Sequence, residues 1–335
     1  MNFRRALLWF LPAILVVGAT AWLWPTPERV FEGKTERQWI AELGQGPAYS
    51  SQQDLVWKSF GDEGIRVLVR GYAESRGSLQ YQWQRIYLKL WPRLPLGILR
   101  LLPEGEDFAS QQRRSRILAL LGSLDHRNLL GLPAVLLALD DVDTETRAAA
   151  IRYFDPRRLS WIDSQTKSAL LPRFLDGLND REWWIRNNSL EALRGFPEAA
   201  SVVAPAAKQA LMDPSPLTQL AAAEVLHAVA PDQVVDAGAV PVLVKVLANP
   251  DLHIVEHAAE LLGRLGADPE IAVPALLQMV GSTNALMGRA SADSLARFPS
   301  WPPGSREILE GLSQNPDPAV RERATNLLAA PVAGK

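Results

Sequence analysis

His253 and His257 stand four residues apart in HIVEHAAE, with Glu256 and Glu260 beside them. On a helix that spacing puts both imidazoles on one face, and two histidines so placed can hold a zinc ion once a third ligand joins them. The order is not His-Glu-x-x-His, however, so no glutamate is placed as a general base. A polar outer helix face accounts for the same residues, and no metal or cofactor is expected. A carboxylate pair for acid–base work would have to come from Asp176, Asp180, Glu182 and Glu191. Most of these fall in a turn or on a solvent side, where capping and solubility explain them. No catalytic constellation is found, and the chain is not expected to be an enzyme.

Trp183 and Trp184, in NDREWWIRNNSL, are harder to assign to a core. Adjacent helix positions point about 100° apart, so both indoles can hardly enter one packing seam. One is expected between neighbouring elements and the other at the surface, where tryptophan is a common binding anchor. With Arg186 they form the leading candidate contact point for a partner, and His253, Glu256 and His257 form a second. The sequon Asn187-Asn188-Ser189 falls inside the same helix, which argues against glycosylation. Trp83, Tyr87 and Trp91 recur at four-residue steps, one helix face, and are expected to be core.

The elements that position these residues are set by composition and period. The chain has 335 residues, 47% of them hydrophobic, with 35 Lys and Arg against 37 Asp and Glu, a net charge of −2. No global basic field argues for nucleic acid, and none is expected as a partner. There are no cysteines, which removes disulfides, thiolate metal sites and cysteine nucleophiles together. At the N-terminus Arg4 and Arg5 precede an uncharged run from Ala6 to Trp24. As a helix this run spans about 28 Å, close to a bilayer core of ~30 Å. The flanking positive charge predicts that the N-terminus stays in the cytoplasm and the rest is exported. Residues 1–24 therefore read as a signal anchor or transmembrane helix. The alternative is a signal peptide cleaved after Ala21 in Ala19-Thr20-Ala21, giving a secreted protein. Anchored, the remainder lies outside the cytoplasm, on the periplasmic side of an inner membrane if the cell has two.

Residues 25–34 read as a linker. Thr35 with Gln38 has the form of a capping box and opens a helix carrying Trp39, Ile40 and Leu43. Residues 35–93 are expected to be helical and to cap a solenoid beginning at 94. From 94 to 330 a repeat takes over, leaving a short tail at 331–335. The phrase AVPVLVKVL at 239–247 returns as AVPALLQMV at 272–280. Pro95, Pro133, Pro172, Pro205, Pro241 and Pro274, at spacings of 38, 39, 33, 36 and 33, each precede an apolar stretch and are expected in the first turn of a helix. Polar turns containing Asp213, Asp251 and Asp317 come next, with Asp or Asn as N-caps, and then a second helix with an Ala and Leu face. Helix, capped turn, helix, about six times over, predicts an all-α right-handed solenoid of stacked antiparallel helix pairs.

Asp317-Pro318-Ala319-Val320-Arg321 with Ala324 and Leu327, and Val255 with Ala258, Ala259, Leu262, Gly263 and Leu265, resemble the second-helix pattern of HEAT repeats. Glu256 stands where that pattern has arginine, and the repeat near Met287 lacks the aspartate turn. The resemblance covers roughly 94–330. FEGKTERQWIAEL is also similar to the stretch after the membrane anchor in HEAT-repeat proteins of planctomycete- and verrucomicrobium-type bacteria. The resemblance implies a protein-binding scaffold whose second helices form the concave face and whose partner is a protein or peptide. It also implies that Arg147, Arg186, Arg289 and Arg321 are structural and bond turn carboxylates of adjoining repeats. HEAT repeats occur in lyases and nucleic-acid glycosylases too. That alternative calls for these four arginines to lie exposed along one strip.

Overall fold

The computed structural model describes residues 29–45, 51–99, 101–103, 105–125 and 128–329. The expected anchor at 1–24, the start of the linker and the tail at 331–335 lie outside them. Among the described residues no helix is long and apolar enough to cross a membrane. The chain forms two compact units, one up to Thr146 and the other from Arg147.

The N-terminal unit opens with a short antiparallel hairpin, β1 (Val30–Phe31) and β2 (Lys34–Thr35), a feature the all-α expectation did not include. Glu32 and Gly33 turn it with φ of 47° and 79°, the left-handed conformations that a two-residue hairpin requires. Thr35 then starts α1 (Glu36–Glu42) through a full capping box: its hydroxyl accepts the Gln38 N–H, and the Gln38 side chain accepts the Thr35 N–H. The Trp39 indole donates to the Phe31 carbonyl at 2.7 Å, tying hairpin to helix. Phe31, Trp39, Trp57 and Phe60 meet edge to face behind it.

Four longer helices complete this unit: α2 (Ser51–Ser59), α3 (Gly61–Gly77), α4 (Leu79–Leu90) and α6 (Phe108–Leu124). The short α5 (Leu96–Leu99) and α7 (Leu132–Ala138) lie beside them in sequence. Helix α3 is the hub and packs on α1, α2, α4, α6 and α7. A Cβ at Gly71 would come within 2.6 Å of Ile40, so glycine is what lets α1 close on α3. Arg114 is wholly buried here between Glu106 and Asp141, and the Tyr72 hydroxyl donates to Asp141 at 2.8 Å. The aromatic face of α4 departs from its expected core position. Trp83, Tyr87 and Trp91 meet in a row, the first two half-buried and Trp91 exposed, and Tyr81 is the buried residue of that helix. A four-residue period fixes which side chains share a face, but not which face the core takes.

The C-terminal unit takes in most of α8 (Thr144–Arg152), then α9 (Pro156–Leu159) and five helix pairs. The first helices are α10 (Ser164–Gly177), α12 (Ala200–Ala210), α14 (Ala239–Val246), α16 (Pro269–Val280) and α18 (Ser305–Leu312). The second helices are α11 (Trp183–Leu193), α13 (Pro216–Val229), α15 (Leu252–Leu265), α17 (Ala285–Leu295) and α19 (Pro318–Ala329). Each first helix packs on its own second helix, and second helices pack in order, α11 on α13, α13 on α15, α15 on α17 and α17 on α19. The result is a stack of helical hairpins with one continuous core, an α-solenoid. Small residues allow the close stacking. A Cβ on Gly263 would lie 2.7 Å from the Ser294 backbone, so the Leu-Gly-x-Leu close of α15 is the contact with α17.

The prolines are placed differently from the expectation in three repeats. Pro133 and Pro241 do lie in first turns, but Pro172, Pro205 and Pro274 are inside α10, α12 and α16. The apolar phrase marks only the buried half of each helix. Each of these helices begins several residues before it, and in α10 the polar Asp163 supplies the start by accepting the Thr166 N–H at 2.8 Å.

Candidate partner-binding surface

The turn between the two helices of each pair uses one local device. The residue two before the helix cap accepts the cap's own N–H: Asp180 from Glu182, Asp213 from Ser215, Asn249 from Asp251, Ser282 from Asn284 and Asn315 from Asp317, all at 2.8–3.1 Å. Asp251 and Asp317 then accept the N–H groups of His253 and Ala319, and so cap α15 and α19. Asp213 is not itself the cap, which is Ser215. The repeat near Met287 keeps the turn without aspartate, because Ser282 and Asn284 take the two roles and Asn284 accepts from Leu286 and Met287.

Arginines lock these turns to one another. Arg186 meets Asp213 of the following turn with both prongs, at 2.6 and 2.9 Å, and holds its own turn through the Asp180 and Arg181 carbonyls at 3.0 Å. Burial pushes the Asp213 carboxyl up, but the hydrogen bonds from Arg186 and Ser215 outweigh it and hold the carboxyl below its ordinary range. Arg147 lies 3.9 Å from Asp180 of the next turn. Arg321, in the last pair, binds the Asn315 and Pro316 carbonyls of its own turn. Arg289 departs from this arrangement: it is well exposed, with Asp293 of its own helix 3.9 Å away. The four arginines thus do not share one exposed strip.

The second helices carry a charged hub that no local motif announces. Glu224 on α13 is buried, and its carboxylate receives Arg194 from the end of α11 at 3.0 Å, His257 from α15 at 3.1 Å, and Arg264 of α15. Burial pushes this carboxyl up. The hydrogen bonds from His257 and Arg264, with the charge of Arg194, overcome that and bring it down to about 2. In return the Glu224 hydrogen bond holds the His257 imidazole above its usual range. Glu191 on α11 also pairs with Arg194 at 2.9 Å, and burial leaves its carboxyl raised. His257 is therefore engaged by Glu224 while His253 is almost fully exposed, 3.8 Å from Glu256, so the two imidazoles do not converge. Among the described residues no cluster of three or more potential ligands gathers for a metal. Of the carboxylates Asp176, Asp180, Glu182 and Glu191, Asp180 is used in its turn and Glu191 pairs with Arg194.

Trp183 is the first residue of α11 and is 40% exposed, while Trp184 turns inward with its indole nitrogen enclosed. The rings meet edge to face at 5.9 Å. Arg186 follows Trp183 by three positions, on the same side of the helix, and Met212, 81% exposed, adjoins the Asp213 that Arg186 grips. Leu252 and Leu286, exposed at the starts of α15 and α17, repeat this placement. The rim of the stack at these turns thus presents an exposed apolar side chain in successive hairpins.

A family model of HEAT repeats matches residues 203–296 and 240–329, all in the C-terminal unit. No curated protein matches the chain. Among solved structures, one engineered protein is similar over 90% of this chain and 95% of its own, at 18% identity and a TM-score of 0.48. A second engineered protein aligns over 58% and 93%, at 22% identity and a TM-score of 0.43. A designed armadillo repeat protein in complex with the peptide (KR)4 aligns over 59% and 98%, at 16% identity and a TM-score of 0.45. With the stacked pairs already described, the matched repeats make the C-terminal unit a HEAT-like α-solenoid.

Proposed function

We propose that this HEAT-repeat chain is a non-enzymatic scaffold that binds a protein or peptide along the second-helix side of its C-terminal unit. The observation that carries the reading is Trp183, an aromatic side chain exposed at a turn rim beside the interlocked Arg186 and Asp213. An anchor on a rigid element loses little entropy on binding, and large aromatic residues dominate interface energetics. The adjoining strip of Glu191, Arg194, His257 and Arg264 is mixed in sign, which suits a polar protein surface better than a phosphate backbone. The lyase or glycosylase alternative asked for four arginines on one exposed strip. The engagement of Arg147, Arg186 and Arg321 with turn groups favours the scaffold instead.

We place the scaffold outside the cytoplasm, held by residues 6–24 or released by cleavage after Ala21. Fractionating cells and sequencing the mature N-terminus checks this: an intact Met1 in the membrane fraction supports the anchor, and a soluble product starting near Trp22 supports secretion. An uncut, soluble cytoplasmic chain would overturn export. Binding is tested by comparing proteins co-purified with the crosslinked full chain and with Trp183→Ala. A partner recovered at about one tenth the level from Trp183→Ala, and unchanged by Val202→Ala on first helix α12, is the expected result. Equal recovery from both variants would remove Trp183 from the surface.

A further inference from the structure

Helix α4 of the N-terminal unit turns an apolar stripe outward. At ~100° per residue Leu79, Trp83, Ile86 and Leu90 fall within about 60° of one another, on the side opposite the buried Tyr81. Leu79 is 84% and Ile86 51% exposed, while Trp83 and Leu90 are half-buried. The Trp83 indole donates to the Pro103 carbonyl at 3.1 Å, which brings the chain after α5 back to this helix. That chain carries Leu101, 84% exposed, and Trp91 is exposed just past the end of α4. Charge says what covers these side chains. From Leu79 to Pro103 the sequence has four cations, Arg85, Lys89, Arg93 and Arg100, and no aspartate or glutamate, in a chain whose two signs otherwise nearly balance. Arg85 and Lys89 are exposed along one flank of the stripe. Of the acids that follow, Glu106 is buried on Arg114 and Asp107 caps α6. Apolar side chains, indole rings and cations without acids match the boundary of an anionic bilayer. There the rings sit at headgroup level and Arg and Lys reach the phosphates.

We propose that the outer face of α4, with the chain as far as Pro103, docks on a membrane surface that carries anionic lipid. A few exposed apolar side chains bind a bilayer only marginally, so a second signal is needed, and the basic flank provides it. This inference deepens the reading of residues 6–24 as an anchor. The five steps from Trp24 to Arg29 span at most about 17 Å, so an anchored chain keeps the N-terminal unit close to the bilayer. It is independent of partner binding, since it uses none of the C-terminal unit.

The test reconstitutes the full chain into vesicles of phosphatidylcholine, with and without phosphatidylglycerol. The chain has no cysteine of its own, so one placed by Leu79→Cys, Ile86→Cys or Leu101→Cys carries an environment-sensitive fluorophore at a single position. All three positions are exposed, and the labelled chains should melt as the unaltered chain does. On phosphatidylglycerol vesicles the three labels should shift their emission to the blue and be quenched by lipids spin-labelled in the upper acyl chain. Labels at Val202→Cys and Ile308→Cys, exposed in the C-terminal unit, should stay in water. Adding Arg85→Gln and Lys89→Gln to Ile86→Cys should lower the ratio of quenched to unquenched label by roughly tenfold or more. Labels at 79, 86 and 101 that all remain in water on phosphatidylglycerol vesicles would overturn the proposal. So would a shift indifferent to both lipid charge and the loss of Arg85 and Lys89, or one that follows protein density, which would make the occupant a second copy. Resistance to alkaline extraction reads the anchor separately. A chain that is extracted but shows the shift before extraction would sink the anchor and keep the surface, and one that resists extraction without the shift would do the reverse.

Discussion

Glu224 shows how one carboxylate serves three helices. Its pKa of about 2 lies below the 4.5 of an ordinary glutamate, so its contribution is fully present above about pH 4.5 and is lost as pH falls toward 2. The His257 pKa is raised, so its contribution is fully present below the unfolded value of about 6.5 and is lost as pH rises through the folded value. The hub is therefore strongest between about pH 4.5 and 6.5. Unfolding free energies from urea denaturation of the unaltered chain and Glu224→Gln should differ most near pH 5.5, by an amount on the order of 3 kcal/mol, and converge near pH 2. Equal differences at both pH values would show that the charge of Glu224 is not what stabilises the hub. Asp317→Ala should cost about 1 kcal/mol through its lost cap, read as a shift in denaturation midpoint. None of this hub was visible in AAAEVLHAV, where Glu224 has no local partner. Its partners lie 30, 33 and 40 residues away, near the repeat period, and pairing opposite charges across that interval is the signal that could have found them.

At the scale of elements, the turns are what hold consecutive hairpins in register. Arg186 and Asp213 are both mostly buried and meet in a bidentate pair, so each loses more when its partner is removed than when both go together. A double-mutant cycle with Arg186→Ala and Asp213→Ala should return a coupling of about 1–2 kcal/mol. Additive effects would mean that the pair only decorates the rim. The sequence announced the helix pairs through repeated apolar phrases and polar turns, because stacking imposes the same burial on every copy. It misplaced Pro172, Pro205 and Pro274 because apolar residues report burial, whereas these helices begin several residues earlier, α10 at the polar cap Asp163 and α12 and α16 without a side-chain cap. The repeat near Met287 does lack the aspartate, yet its turn persists through Ser282 and Asn284. The turn needs a short side-chain acceptor two residues before the cap, and serine serves there as aspartate does.

Across the whole molecule, the scaffold reading asks for an accessible anchor that folding does not need. Trp183 is part exposed, and Trp184 and Ile185 supply the burial at the start of α11. Trp183→Ala should therefore shift the thermal midpoint by no more than a degree or two while weakening partner recovery. A large fall in stability would identify Trp183 as core. The most direct measurement is site-specific photocrosslinking in cells that express the full chain. A crosslinking residue is placed in turn at Trp183, Met212 and His253 on the turn rim and second helices, and at Val202 and Ile308 on the first helices. The account predicts a discrete protein adduct, of one size, from the first three positions and none from the last two. Adducts only from Val202 and Ile308, or none from any position, would contradict it.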